Sequence, residues 1–405
     1  MSMRKHPGIL LLAALIIFAA PGASRADSLF RLFPEAEMSG YYSDNVPLRT
    51  HNQVGDFAGT LIAGFYLDYT SEARYASLHW DTFAQMFAHQ SRFDRAGEGQ
   101  FVSATDNENI NPTTKLHIDE FFYRDAPTSV AVTTSNQVGY FNSTMVGFLL
   151  AGDRESVNHF IATLTHDWGR RWFTQFSVRQ ETLWGPNGNT SYAQGFTLLA
   201  MYHYNDRLDF GPGYKFYDFR FTVPGRPGSE AHWPFLDVNW IPMENLYLSG
   251  VVGPVYTYTF GTGRQTIDVG GVASARYVFR RGHADVYGGQ EPDMTAGLSG
   301  AGTLDYVRGT VAYELTRRLT ANAGAGYNQL RGTGIDAQLI VYGIGVNQRV
   351  NRWLNVFARY TGVRRNVSAP SQFLPGQNTG GQEAVGNYYV IGFSVWTEAF
   401  RWSWQ

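Results

Sequence analysis

Hydrophobic and polar residues alternate along most of this chain. In the stretches 172–181 and 353–361 every second residue is largely apolar, and the residues between are mostly polar or charged. A period of two is typical of β-strands, because successive side chains of a strand point to opposite faces of the sheet. Stretches with the helical period of 3.6 are scarce. The pattern therefore predicts an all-β protein whose strands have one apolar and one polar face.

A short polar turn recurs about every 36 residues in the second half of the chain. Its copies are Gly169-Arg170-Arg171-Trp172, Asn205-Asp206-Arg207-Leu208, Met243-Glu244-Asn245-Leu246, Arg280-Arg281-Gly282, Thr316-Arg317-Arg318-Leu319 and Asn351-Arg352-Trp353. Each interval holds one strand, a looser connection rich in Gly, Pro or Asn, and a second strand. Short turns at one end and variable loops at the other are typical of outer-membrane barrels.

The predicted strands are long, at about ten to fourteen residues, whereas strands of globular sheets usually have about five or six. This length matches a tilted strand that crosses hydrocarbon. Eighteen strands are predicted, at 34–42, 56–70, 75–90, 112–124, 128–137, 157–168, 172–184, 191–204, 208–222, 232–240, 246–258, 265–279, 283–291, 303–315, 319–329, 335–349, 353–365 and 387–397. Loss of 128–137 with a neighbour would leave sixteen. The predicted fold is a transmembrane antiparallel up-and-down β-barrel with both termini in the periplasm, since both ends lie on the short-turn side.

The N-terminus predicts export. Two basic residues precede the apolar run 9–20, and small residues follow at Ser24 and Ala26. This order is typical of a Sec-type signal peptide, and the run is too short for a membrane-spanning helix. We therefore expect a signal peptide at 1–26 and a barrel at 27–405 in the outer membrane, in contact with its lipid and lipopolysaccharide.

Composition excludes several classes of site. The chain has no cysteine, which excludes disulfides, thiol catalysis, Cys-ligated zinc and haem attached through cysteine. With 32 basic and 34 acidic side chains it lacks the basic excess of a nucleic-acid-binding protein. The nearest approach to a nucleophile elbow, Gly297-Leu298-Ser299-Gly300, lacks the Gly-x-Ser-x-Gly spacing. No cofactor, metal or catalytic residue is predicted.

Ten positions on the polar faces are predicted to line the interior of the barrel. They are Gln175, Ser177, Arg179, Glu181, Asp268, Arg276, Arg308, Glu314, Asn355 and Arg359. Opposed arginines and carboxylates in an aqueous lumen set ion preference and the size limit of a pore. They would have little effect on selectivity if they neutralise each other as ion pairs within the wall, and both interpretations stay open.

Histidine and aspartate recur on two neighbouring strands. His79 and Asp81 share one face of the third predicted strand, and His117 and Asp119 share one face of the fourth. Adjacent strands could bring the four together as a metal site or as a base with its orienting carboxylate. A hydrogen-bonded polar network in a wet lumen is the favoured interpretation, because no nucleophile is indicated.

The start of the mature chain resembles a known group of proteins. The segment Tyr41-Tyr42-Ser43-Asp44-Asn45-Val46, the hairpin 56–90 and the polar run 93–100 are similar to the β-barrel porins of Gram-negative bacteria. The resemblance is one of layout over the whole mature chain. It implies an outer-membrane barrel with no catalytic residues to carry over. The chain departs from these barrels by ending on Trp404-Gln405 instead of on an aromatic residue, which leaves the end of the last strand open.

The leading hypothesis is a channel for passive passage of small hydrophilic solutes, because eighteen strands enclose an interior wide enough for water. One alternative is a barrel that sheaths a periplasmic electron-transfer or secretion partner. Another is a hydrolase in the barrel wall, which needs a nucleophile beside His79 and Asp119. A soluble β-protein is the remaining alternative. The long connections 91–111, 138–156 and 367–386 could cap the mouth, constrict it or contact a partner.

Overall fold

The computed structural model describes residues 28–44, 55–72, 74–88, 110–122, 126–139, 155–184, 190–222, 227–294, 301–332, 335–368, 382–397 and 400–404. Within these ranges no helix has the length and apolarity needed to span a membrane. The predicted signal peptide at 1–26, the segment 297–300 and most of the three long connections lie outside the described residues. The signal peptide stays a prediction.

The chain folds into one closed antiparallel sheet. Its strands are β1 Ser28–Ser43, β2 Asp56–Thr70, β3 Arg74–Phe87, β4 Ile110–Phe122, β5 Thr128–Gly139, β6 Glu155–Asp167, β7 Trp172–Trp184, β8 Thr190–Asn205, β9 Leu208–Phe221, β10 Ser229–Met243, β11 Leu246–Thr259, β12 Arg264–Phe279, β13 Gly282–Met294, β14 Ala301–Glu314, β15 Leu319–Gly332, β16 Ile335–Arg349, β17 Leu354–Ser368, β18 Gln382–Trp396 and β19 Phe400–Trp404. Each strand from β1 to β17 pairs with the next in sequence. On its other side β1 pairs with β18 and then with β19, which lie end to end and occupy one position in the barrel. The predicted barrel of eighteen strands is confirmed, and the alternative of sixteen is wrong. Closure leaves no free sheet edge.

The seam between the two ends of the sheet contains an irregularity. Glu35 lies opposite Trp396, whereas Leu32 lies opposite Phe400 and Ser28 opposite Trp404. The register therefore shifts by one residue between β18 and β19, as in a β-bulge, which inserts one extra residue into one strand of an antiparallel pair. The eighteenth strand ends at Trp396, close to the predicted 397, and pairing with β1 resumes at Phe400 in a short further strand.

Other strand ends also differ from the prediction. The first strand begins at Ser28 instead of 34, and β18 begins at Gln382 instead of 387. Strands β1 to β18 are twelve to sixteen residues long, so most connections are shorter than predicted. Pairing with a neighbouring strand satisfies the backbone beyond the point where alternation fades, and alternation alone cannot locate that end.

The predicted short turns are present and are held by local side chains. The side-chain oxygen of Asn205 accepts a hydrogen bond from the backbone N–H of Arg207 at 2.8 Å. Asn351 accepts bonds from the N–H groups of Trp353 and Leu354 at 2.8 and 3.0 Å. Asn commonly closes turns by bonding the backbone two residues on. These residues explain why the hairpins reverse tightly at one end of the barrel.

The two faces of the wall differ in chemistry. The side chain of Trp233 is fully buried, and in a wall one layer thick only the concave face can bury so large a group. Counting by strand pairing from Trp233 places Ile267, Val269 and Ile391 on the opposite, outer face, where 75%, 67% and 65% of each is exposed. Phe176 lies on this face too. The outer face is therefore an exposed apolar surface.

Aromatic side chains form two rows on the outer face. Near the short turns, the ring centroids of Trp172 and Tyr202 are 4.9 Å apart, and those of Tyr202 and Phe210 are 5.9 Å apart. A second row crosses β16, β17, β18, β1 and β2 through Tyr342, Tyr360, Tyr389, Tyr42 and Phe57, with neighbouring centroids 4.8 to 6.4 Å apart. Aromatic rows that flank an apolar band are typical of membrane barrels, since amphipathic rings favour the lipid–water interface.

Candidate functional site: the inner wall of the barrel

All ten positions predicted to line the interior lie on the inner face. Strand pairing links them to Trp233: Trp233 lies opposite Lys215, Lys215 opposite Thr197, and Thr197 opposite Ser177. The same count around the barrel reaches the others. The ten are Gln175, Ser177, Arg179, Glu181, Asp268, Arg276, Arg308, Glu314, Asn355 and Arg359. They occur on four strands, β7, β12, β14 and β17.

Two arginines of this set form ion pairs within the wall. Arg179 Nη2 lies 3.0 Å from Glu181 Oε2 along one strand. Arg276 Nε lies 3.0 Å from Asp285 Oδ1 across two strands, and the same carboxylate contacts His283 at 3.3 Å. Asp268 lies opposite Val255. The charges of Arg179 and Arg276 are therefore partly neutralised inside the wall.

The other two arginines face a recess that is lined by glycines. The recess has a volume of about 600 Å³, and Arg308 and Arg359 both lie at it. We call its small-residue floor the glycine recess, made of Gly324, Gly326 and Gly343 on β15 and β16. Because these glycines have no side chains, the space on the inner side of the wall is open there.

Among the residues that the structure describes, neither Arg308 nor Arg359 forms an ion pair of the kind seen for Arg179. Arg308 Nη1 donates to the hydroxyl of Tyr287 at 3.4 Å. The guanidinium carbon of Arg359 lies 4.4 Å from the ring centroid of Phe357, and Glu37 on β1 is in electrostatic range of Arg359. A Cβ at Gly345 would lie 3.2 Å from Cγ of Arg359, so this glycine makes room for the arginine stem.

Another part of the wall, on β9 to β11, is filled by large side chains. Lys215 Nζ lies 4.5 Å from the ring centroid of Trp233 and 5.3 Å from that of Phe235, in cation–π geometry. Trp233 and Phe235 pack with Val255 as one buried cluster. We call these four residues the filled segment. Cα atoms of β8 and β13, which are not neighbours in the sheet, approach within 8 Å, so the interior narrows here.

The sequence did not identify the filled segment. Its signals were weak: Lys215 is one of three lysines in the chain, and Gly211 and Gly213 precede it at a period of two. A Cβ at Gly213 would lie 2.2 Å from the ring of Phe235. That glycine is therefore required for the phenylalanine to lie against the wall.

The four predicted His and Asp residues share the inner face but form two groups. His79 lies directly opposite His117. His117 Nε2 is 2.8 Å from Asp119 Oδ2, and Asp119 Oδ1 accepts a bond from the hydroxyl of Thr133 at 2.7 Å. The hydroxyl in this group thus donates to a carboxylate and not to a histidine, which does not match a nucleophile activated by a base.

His79 has a partner that the sequence did not indicate. Its Nε2 lies 2.5 Å from Glu35 Oε1 on β1 and 3.9 Å from Asp81 Oδ2 on its own strand. Glu35 is two strands away from His79 in the sheet. Alternation places Glu35 on the inner face, but only the register across three strands brings it to His79.

Comparison with known proteins gives matches at the level of structure alone. No family model matches the sequence, and no curated protein matches it. OccAB3 from Acinetobacter baumannii is 8% identical, covers 90% of this chain and 99% of its own, and has a TM-score of 0.46. The outer membrane protein OpdK from Pseudomonas aeruginosa is 10% identical, covers 92% and 99%, and has a TM-score of 0.41.

A third similar structure is the ferric enterobactin receptor PfeA from Pseudomonas aeruginosa. It is 8% identical, covers 90% of this chain and 80% of its own, and has a TM-score of 0.41. At such low identities and scores these likenesses do not bear on function. The resemblance to β-barrel porins, predicted from the sequence, holds at the level of the eighteen-stranded barrel itself.

Proposed function

We propose that this protein is an outer-membrane channel through which small hydrophilic solutes pass passively. The observation that carries the proposal is the contrast between the two faces of one closed wall. The outer face exposes residues such as Ile267 and Ile391, whereas the inner face holds ion pairs such as Arg179–Glu181. A barrel of this strand number encloses an interior wide enough for water.

The outer face supports a location in a membrane. A water-soluble protein rarely exposes a contiguous apolar patch larger than a few hundred Å², and here large apolar side chains such as Ile267, Val269 and Ile391 are exposed on the outer face of several strands. Hydrocarbon also demands that every backbone polar group has an internal partner, which a closed barrel provides. We place the short turns and both ends of the barrel on the periplasmic side, as the predicted signal peptide implies.

The inner face supports a preference among ions. Arg179 and Arg276 have carboxylate partners within 3.0 Å, while Arg308 and Arg359 contact a tyrosine and a phenylalanine. Charges along a pore act on passing ions through the local field. We therefore propose that solutes pass along the glycine recess and that Arg308 and Arg359 favour anions there.

Single-channel recording tests the proposal. The mature chain, refolded in detergent and inserted into planar bilayers, should conduct both cations and anions in 0.1 M KCl. Altered mobility on unheated gels reports folding in the same sample. A folded barrel that never conducts contradicts the channel. If that barrel also co-purifies with a periplasmic protein, the result would instead support the alternative of a barrel that sheaths a partner.

A further inference from the structure

Three potential metal ligands converge on the inner wall, away from both the glycine recess and the filled segment. They are Glu35 from β1 and His79 and Asp81 from β3. The three ligand atoms all lie within 4.8 Å of one another. The side chains of Glu35 and His79 are each 35% exposed and that of Asp81 is 15% exposed. An ion from the interior could therefore reach them.

A glycine on the strand between makes this convergence possible. Gly64 on β2 lies opposite Glu35 on one side and opposite Asp81 on the other. A Cβ at Gly64 would lie 2.4 Å from the carbonyl oxygen of Trp80 and 3.0 Å from Cβ of Asp81. Strands two apart in a sheet are separated by about 9.5 Å. The long side chain of Glu35 can cross that distance because Gly64 leaves the intervening position empty of side-chain atoms.

The second carboxylate distinguishes this group from ordinary histidine pairs in the wall. His203 lies 2.7 Å from Asp209, and His283 lies 3.3 Å from Asp285. In the described part of the chain, Glu35, His79 and Asp81 are the one group with three ligand atoms so close together. Neighbouring His117 is bonded to Asp119 and is not needed for the set.

We propose that Glu35, His79 and Asp81 form a binding site for a divalent cation such as Zn²⁺ on the inner wall. One imidazole nitrogen and two carboxylate oxygens suit a borderline ion of this kind, with water as a further ligand. Ligand atoms around tetrahedral zinc lie about 3.3 Å apart, given bond lengths near 2.05 Å. Side-chain rotations of Glu35 and Asp81 bring the three to that spacing, and the cation replaces the direct contact between His79 and Glu35.

The site does not depend on solute passage, so binding and conduction can be tested separately. The mature chain without a polyhistidine tag is folded in detergent, stripped with a chelator and titrated with Zn²⁺ by calorimetry. We expect one site per chain. His79→Gln and Asp81→Asn should each weaken binding at least about tenfold, because each removes one of three protein ligands.

His283→Gln is the matched control. It makes the same substitution in a wall histidine that has a single aspartate as partner, and it should leave Zn²⁺ affinity unchanged. Mobility on unheated gels checks that every variant is folded, and Asp81→Asn provides the result if His79→Gln fails to fold. The proposal is overturned if the wild-type chain binds no Zn²⁺ at a single site, or if both folded variants bind it as tightly as the wild type.

Discussion

Two parts of the same wall, the filled segment and the glycine recess, give the interior opposite shapes. Both are built from long antiparallel strands with the same alternation. In the filled segment Trp233 and Phe235 cover the inner face, whereas glycines in the recess leave about 600 Å³ open. The difference teaches that strand number sets only an upper limit on the passage. The size of the inward side chains decides where it runs.

Removing the largest side chain of the filled segment should make this part of the interior more open, like the glycine recess. It should also have the largest effect on stability. Trp233 is fully buried, and replacing a buried Trp by Ala typically costs about 3–5 kcal/mol. Trp233→Ala should lower the free energy of unfolding by that amount in urea titrations in detergent, and it should raise single-channel conductance. Trp240→Ala on the exposed outer face is the control and should do neither to the same extent. Equal losses from both would contradict the burial of Trp233 inside the barrel.

Introducing an arginine on each face of the recess wall should distinguish the face that contacts lipid from the face that lines the lumen. Ile344 is 63% exposed on the outer face, and Thr361, which lines the recess, is on the inner face. Arg at the membrane midplane costs about 2–4 kcal/mol, so Ile344→Arg should destabilise the barrel by roughly that much. Thr361→Arg should fold normally. Similar folding defects in the two variants would argue against the assignment of the faces.

Filling the recess should narrow the passage with little loss of stability. The nearest atom to a Cβ at Gly326 would be 3.7 Å away, an ordinary contact. Gly326→Phe should therefore fold and should reduce single-channel conductance, because the ring occupies space that is open in the wild type. Gly40→Phe on β1 is the control, since its Cβ would also have open space around it but, by strand pairing, would lie on the outer face. Unchanged conductance in the Gly326 variant would place the passage elsewhere.

The smallest expected effect is on ion preference. Replacing both Arg308 and Arg359 by Gln should shift the reversal potential in a salt gradient toward cation preference. The matched double variant of Arg179 and Arg276 should shift it less, because these arginines already contact carboxylates. Both shifts should shrink at high salt, since the Debye length falls from about 10 Å at 0.1 M to about 3 Å at 1 M. A larger shift from the paired arginines would reverse the proposed route.

Much of the fold could be predicted from alternation and turn chemistry, because both are local properties. A period of two assigns Phe176 to one face and Ser177 to the other, and turn residues such as Asn205 mark the hairpins. The strand count follows from these signals. The bulge before Phe400 could not be predicted, since it is defined by pairing with β1.

The partners on the inner wall could not be predicted for a related reason. The sequence placed Arg276 on the inner face, but its contact with Asp285 depends on the register between β12 and β13. Glu35 reaches His79 across an intervening strand. Trp233 and Phe235 were missed because hydrophobicity alone does not tell an aromatic ring in the lumen from one that faces lipid. Around Trp233 both faces are partly apolar.

The seam of the barrel has a consequence for the kinetics of folding. Every other pairing joins strands that follow each other in sequence, but at the seam Ser28 meets Trp404, and Asn387 donates to the carboxylate of Asp44 at 2.8 and 2.6 Å. Contacts between residues far apart in sequence are slow to form, because the chain between them loses conformational entropy before the contacts contribute any favourable energy. Successive hairpins can therefore assemble quickly as an open, curved sheet. The entropic barrier is concentrated in the single event that joins its first and last strands.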